Sequence, residues 1–188
     1  TNFITSPGLR EDAQKLGFWH PKDGAFHWTK AFSKYDDKNW IYFTRRIWRV
    51  LSQAAPSLNI NPRTDPLASD YPFSVKVEGG KWSAHDVMAL KRDHFEGTEF
   101  DMTKGPRGQA WGNPNRYDRA PSEMNDLTQE DVDSGHFERP ISMFRTIYSS
   151  VAVSRPTPGL GMAWVAHHAP PAAPFLPLSV QSTKAPQP

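Results

Sequence analysis

Proline most limits what this chain can become. It occurs 18 times in 188 residues, from Pro7 to Pro188, about twice the ~5% of an average protein. Each proline fixes φ and lacks an N–H, so it is tolerated at helix starts, sheet edges and turns but not inside helices or central strands. Regular elements must therefore be short, and much of the chain must be connection. Seven Trp and 12% aromatic residues nevertheless demand a packed core, because disordered chains lack them. The length fits one domain or part of a larger one.

Between the prolines, a few stretches carry regular periodicity. Ser6-Pro7 offers an N-cap and first-turn pair for a short helix from Leu9 to Leu16, with Gly17 as its left-handed C-terminal cap. The strongest helical pattern runs from Asp37 to Ala55. There Trp40, Ile41, Ile47, Trp48 and Leu51 recur at helical spacing, Arg45, Arg46 and Arg49 occupy other faces, and Pro56 ends it. Trp48 is expected to be buried against a sheet. Asn59 to Tyr71 is an irregular connection leading to an extended stretch, Phe73 to Val77, closed by Gly79-Gly80. Ser83-x-x-Asp86 then reads as a capping box opening a helix that ends near Phe95, with Val87, Leu90 and His94 on one side.

Glu96 to Pro121 is too polar and too punctuated by Gly and Pro for regular structure, so it reads as a long functional loop. Ordering such a loop costs about 1–2 kcal/mol per residue in backbone entropy. Few of its side chains are apolar, so Asp93 and Arg116 are expected to anchor its two ends as buried, paired groups. Arg139 to Arg155 and Met162 to His167 flank a Pro156-Thr-Pro-Gly159 turn and predict a β-hairpin. A short strand follows near Phe175 to Leu178, and residues 179–188 read as a flexible, Pro-rich tail.

Zero cysteines exclude a disulfide scaffold, a Cys-ligated zinc site and a thiol nucleophile carried on these residues, and leave the compartment open. The formal net charge is +2 and no basic block stands out, so nucleic acid is not the expected partner. No run of about 18 apolar residues exists, so no membrane span is expected. The opening Thr-Asn-Phe-Ile-Thr-Ser-Pro has neither a basic region nor an apolar core, so it does not read as a signal peptide. His20, His27, His85, His94 and His136 are scattered, and His167-His168 would point to opposite faces of a strand. Neither a metal site nor a cofactor is expected.

Four segments in order carry a resemblance. They are Trp82 to Gly105, which contains Arg92-Asp93-His94-Phe95-Glu96-Gly97-Thr98 and Phe100-Asp-Met-Thr-Lys104; Trp111-Gly-Asn-Pro-Asn-Arg116; Phe137 to Thr146; and Ala163 to Pro170. Together they resemble the dipeptidase A and secernin-type peptidases, N-terminal-nucleophile (Ntn) hydrolases that use a processed amino-terminal Cys. The similarity extends upstream through the aromatic helix at Trp40 to Trp48 to Asn2-Phe3-Ile4, covering Thr1 to Leu178 as one partial domain.

The resemblance implies an α+β fold, part of an αββα sandwich with helices packed on antiparallel sheet. It also implies that the nucleophilic Cys lies before the place where this sequence begins. The chain would then supply the middle-to-C-terminal portion of an amide hydrolase, with oxyanion and substrate-side residues for a Cys it does not carry. Its partners would be the remaining segment or chain of the same fold, in an oligomer or assembly, and a peptide substrate. The alternative is a catalytically inactive relative serving as a structural or accessory subunit.

Amide hydrolysis needs a nucleophile, a base and donors for the developing oxyanion. The resemblance places Asn2 where an oxyanion-hole Asn would lie, although a near-terminal Asn also caps turns. It matches Arg145 to an Arg near the nucleophile, although a charge-paired scaffold Arg reads the same way. Trp111, Gly112, Asn113 and Arg116 are the expected substrate contacts. Arg92, Asp93, His94, Glu96 and Gly97 read as a structural motif. Arg92 or His94 would face a helix C-terminus, and Asp93 and Glu96 would tether the loop. Thr1 is a conceivable Ntn nucleophile by chemistry, but the resemblance makes it an interior position.

Overall fold

The computed structural model describes residues 5–32, 41–63, 71–72, 74–104, 112, 139–157 and 159–184. The architecture is α+β. Among the described residues, four α-helices (α1 Leu9–Lys15, α2 Trp28–Phe32, α3 Ile41–Ala54, α4 Ala84–Leu90) precede three strands (β1 Tyr148–Val153, β2 Met162–His167, β3 Leu176–Ser179). No described helix approaches the length and apolarity needed to cross a membrane.

Helix α1 ends as its sequence predicts. Gly17 adopts φ +74°, and the Phe18 and Gly17 N–H groups donate to the carbonyls of Ala13 and Gln14 at 2.8 and 3.0 Å, the paired bonds of a Schellman cap. Its start differs from the Ser6-Pro7 expectation. The N-cap is Gly8, in the left-handed region, with no side-chain cap.

Residues 37–40 of the long predicted helix lie outside the described residues, and α3 is described from Ile41. Thr44, Trp48 and Leu51 form its buried stripe, which Ala55 continues just past its end, at the i, i+4, i+7, i+11 spacing of one helical face. Ile47 sits at the margin of that stripe and is 42% exposed. The buried arc widens instead on the opposite flank, where Arg45 is buried.

Trp48 is buried, and among the described residues it packs against a loop segment rather than a sheet. It packs with Phe95, Phe100 and Met102 of the segment after α4, meets Phe100 edge-on at 5.5 Å between ring centres, and donates Nε1–H to the Ile60 carbonyl at 2.9 Å. The loop segment takes the place expected for a sheet because its own large apolar side chains turn inward onto α3.

The capping box forms as read. Ser83 Oγ accepts from Asp86 N–H while the Asp86 carboxylate accepts from Ser83 N–H. Helix α4 stops at Leu90 rather than near Phe95, so His94 is not on its face. Side-chain competition for the backbone explains the early stop. Asp93 Oδ1 accepts the Phe95 N–H and Glu96 Oε2 accepts the His94 N–H. Phe95 itself takes φ +65°.

The predicted hairpin and third strand are present as an antiparallel sheet of order β1-β2-β3, in register Val151 with Trp164 and Val165 with Leu176. The strand begins only at Tyr148, because residues 139–147 are irregular, with Ser142 N–H bonded to the Asp93 carbonyl and a turn from Met143 to Thr146. One sheet face carries Val151, Ala166 and Phe175 onto Met88 of α4. Two cores result, one between α3 and residues 95–102 and one between α4 and the sheet.

Candidate functional site

The motif-dense stretch from Arg92 to Lys104 lies between these two cores. Arg92 and Asp93 end the turn that follows α4, and their side chains leave in opposite directions. The Arg92 guanidinium donates to the carbonyls of Pro170 and Ala173 at 3.0 and 3.3 Å and lies 4.8 Å from the Phe175 ring centre. Arg92 thus ties the turn to the sheet side rather than capping a helix dipole, because α4 has already ended.

Asp93 ties the turn to α3. Its carboxylate accepts from Arg49 Nε at 3.0 and 2.9 Å, from Arg49 Nη2 at 2.5 Å, from Gln53 Nε2 at 3.1 Å and from Phe95 N–H at 2.9 Å. Both partners are largely buried, with Arg49 at 14% and Asp93 at 7% side-chain exposure. Asp93 is therefore the buried, paired anchor that the loop required. Arg49 also donates to the Glu96 carbonyl at 3.0 Å. The two-toothed geometry fixes direction as well as distance.

A second carboxylate organises the next turn. Asp101 accepts from Gly97 N–H, Thr103 N–H and Thr103 Oγ1 at 3.1, 3.0 and 2.5 Å, and Lys104 Nζ lies 3.2 Å away. Burial works against the charged form, but these donors outweigh it and hold the carboxyl down to about 2. Glu96 follows the same balance. Burial raises its carboxyl, while the bonds from the His94 ring and N–H bring it below the ordinary value.

His94 is the chemically open member of the motif. Its ring is buried, with Nδ1 3.1 Å from Glu96 Oε1, and a carboxylate only accepts, which assigns the proton to Nδ1. Nε2 is buried with no hydrogen-bond partner among the described residues, as is the hydroxyl of Ser142. Ser142 is joined to the same turn by its N–H bond to the Asp93 carbonyl. Asp93 and Asp101, by contrast, have no acceptor capacity left to trade. No group of three His, Cys, Asp or Glu gathers as metal ligands among the described residues.

The remaining predicted site residues distribute as follows. Asn2, Trp111, Asn113 and Arg116 lie outside the described residues, so the second anchor of the loop does too. Gly112 is at φ +58°, and a Cβ there would sit 3.2 Å from the Thr103 carbonyl oxygen. Gly112 thus lies directly against the end of the 93–104 segment. Gly97, at φ +76°, provides the turn between Glu96 and the Asp101 cradle. Arg145 is exposed and precedes β1 instead of lying on it, with its guanidinium 5.5 Å from the Phe144 ring centre.

Sequence reading missed Arg49, Gln53 and Arg45. Arg45 is buried with its guanidinium carbon 3.6 Å from the Phe100 ring centre. The signal was present: 45, 49 and 53 are successive i, i+4 positions along one helical row, adjoining an apolar stripe. A polar row beside a buried stripe on a short helix marks a second packed surface. Tyr71 closes this side, its hydroxyl donating to the Asn61 carbonyl at 2.5 Å. Burial pushes that phenol up to about 12, with nearby Arg45 opposing.

Comparison with known proteins agrees with the motif reading. Over 100 residues the chain is 28% identical to a protein of Latilactobacillus sakei named "Probable dipeptidase", a stretch amounting to 53% of this chain and 20% of that relative. The chain thus spans about a fifth of the length of the curated relative it matches. No solved structure matches. The model of peptidase family C69 matches residues 1–188, and the chain belongs to that family.

Proposed function

We propose that this chain is the middle-to-C-terminal portion of a dipeptidase-like amide hydrolase of the Ntn type. Its helices and antiparallel sheet would form part of an αββα sandwich. The remaining segment, on the same or another chain, would supply the Cys nucleophile. The observation that carries the reading is a family match over all 188 residues of a chain with no cysteine.

In this reading the thiol of the missing Cys attacks the peptide carbonyl carbon while its own α-amino group takes the thiol proton. The carbonyl electron pair moves to oxygen, where the Asn2 side-chain N–H donates to it. Collapse breaks the C–N bond, the leaving amine takes the proton, and water then hydrolyses the thioester. Arg145 serves near the nucleophile, and Trp111, Gly112, Asn113 and Arg116 contact substrate. The Arg92–Gly97 motif holds the loop. The saturation of Asp93 supports this division of labour, because a carboxylate with four donors is a poor general base.

The test uses a longer protein that contains this sequence and an amino-terminal Cys, assayed for release of free amino acids from unprotected dipeptides. Asn2→Ala should lower kcat by about 10²–10³-fold with KM little changed. An unaltered kcat would remove Asn2 from the oxyanion site. The absence of Cys also favours a second reading, an inactive accessory subunit. A native full-length protein without an amino-terminal Cys and without dipeptide hydrolysis would select it.

A further inference from the structure

Residues 74–78, Ser-Val-Lys-Val-Glu, carry the alternation of a strand. Val75 and Val77 are half-buried, while Ser74, Lys76 and Glu78 are exposed. Yet they join no sheet among the described residues. Only the end of the stretch is fastened. Glu78 N–H donates to the Ala54 carbonyl at 2.8 Å, and its carboxylate accepts from the Ser57 N–H and hydroxyl. Among the described residues, Ser74 to Val77 make no backbone hydrogen bond.

Between this stretch and the corner after α3 lies a groove of about 720 Å³, lined by Ala55, Leu58, Pro72, Val75, Lys76 and Val77 among others. That volume falls within the ~300–1,000 Å³ of ligand sites. In extended chain, N–H and C=O groups of alternate residues lie along one edge. Glu78 N–H reaches toward Ala54, so Lys76 and Ser74 present theirs on that same side, along the groove. An unpaired strand edge is a template for another strand. Lys76 makes no ion pair among the described residues, and the other charged group of the lining, Glu78, is occupied by Ser57.

We propose that Ser74–Val77 is a strand-accepting edge and that the groove beside it binds an extended peptide with an acidic residue opposite Lys76. The main-chain groups of Ser74 and Lys76 supply register, the apolar wall of Ala55, Leu58 and Val77 takes an aliphatic side chain, and Lys76 selects for negative charge. This goes beyond the hydrolytic reading and does not depend on it.

The experiment titrates the longer protein that contains this sequence with acetyl-Thr-Val-Glu-Val-Thr-amide and follows amide hydrogen exchange by mass spectrometry with fragmentation that resolves residues 74–78. The Ser74 and Lys76 amides should exchange rapidly in the free protein and slow at least tenfold at saturation. The Lys76→Glu variant, which disturbs no partner, should weaken binding at least fivefold and prefer the peptide with Lys in place of Glu. Lys76→Pro, which removes the central N–H, should abolish protection at Ser74 with the far-UV spectrum unchanged. Protection of these amides without peptide, rising with protein concentration, would mean that a second copy occupies the edge and would overturn the proposal. Peptide-induced protection confined to other residues, or equal binding of the Glu and Lys peptides, would overturn it too.

Discussion

Replacing Asp93 by Asn isolates the junction between the two cores, because it preserves shape and removes charge. In the native turn the carboxylate accepts both Arg49 donors, the Gln53 amide and the Phe95 N–H. An Asn oxygen can keep the Phe95 N–H, but its NH2 group then faces the guanidinium, donor against donor. Arg49, with 14% of its side chain exposed, is left as a nearly buried cation without a counter-charge. Breaking such a pair costs about 3–5 kcal/mol; the residual exposure of Arg49 and the retained Phe95 bond place Asp93→Asn at about 3. In a double-mutant cycle Arg49→Met should recover about 1–2 kcal/mol of that loss, since it removes the stranded charge. Urea unfolding followed by far-UV circular dichroism and Trp fluorescence gives the numbers, with an unchanged m-value as the two-state control. A loss below about 1 kcal/mol, or full additivity of the two substitutions, would refute the view that this pair joins the cores.

Trp48→Ala should cost about 3–5 kcal/mol in the same assay, and Trp48→Phe about 1, the worth of the bond to Ile60. Asp101 has its folded carboxyl depressed from 3.8 to about 2; a depressed acid contributes stability above its unfolded value and loses it as pH falls through the folded one. Stability should therefore fall between about pH 4 and pH 2 in the native protein, and less steeply in Asp101→Asn, as read by urea midpoints across that range. Gly112→Ala should cost about 1–2 kcal/mol, because its positive φ and the Thr103 carbonyl at 3.2 Å both oppose a Cβ.

Much of the secondary structure was legible because its signals are local. The Gly17 cap, the Ser83–Asp86 box and the β-branched run into β1 each depend on residues within one or two turns of one another. The errors share one cause. Helix α4 ends at Leu90 because the side chains of Asp93 and Glu96 take up the N–H groups that a continuing helix would use. The strand starts at Tyr148 because Ser142 is held by the Asp93 carbonyl from 49 positions earlier in the chain. A periodic apolar pattern continues through both places. In the first place polar side chains, and in the second a distant main-chain carbonyl, take backbone N–H groups and stop the element before the pattern stops.

The motif was legible as a motif, but its purpose depended on a partner 44 residues away. The sequence places Arg49 only on a face other than the apolar stripe, and its carboxylate partner comes from the loop. With that partner in place, the density of charged residues from Arg92 to Lys104 follows from packing. A segment without regular hydrogen bonds must satisfy its own N–H groups where it is buried, and Asp93, Glu96 and Asp101 each accept from backbone within two to four residues. The cations Arg49, Arg92 and Lys104 then compensate charge or bind carbonyls at the edges. Gly112, against the Thr103 carbonyl, adjoins the end of this segment. His94 is the exception. Among the described residues nothing uses its Nε2, and its ring is buried, so a substitution that keeps the Nδ1 bond to Glu96 and removes Nε2, His94→Asn, should cost about 1–3 kcal/mol in folding for the buried volume lost, and an effect on hydrolysis in the longer protein beyond that loss would assign that nitrogen to chemistry.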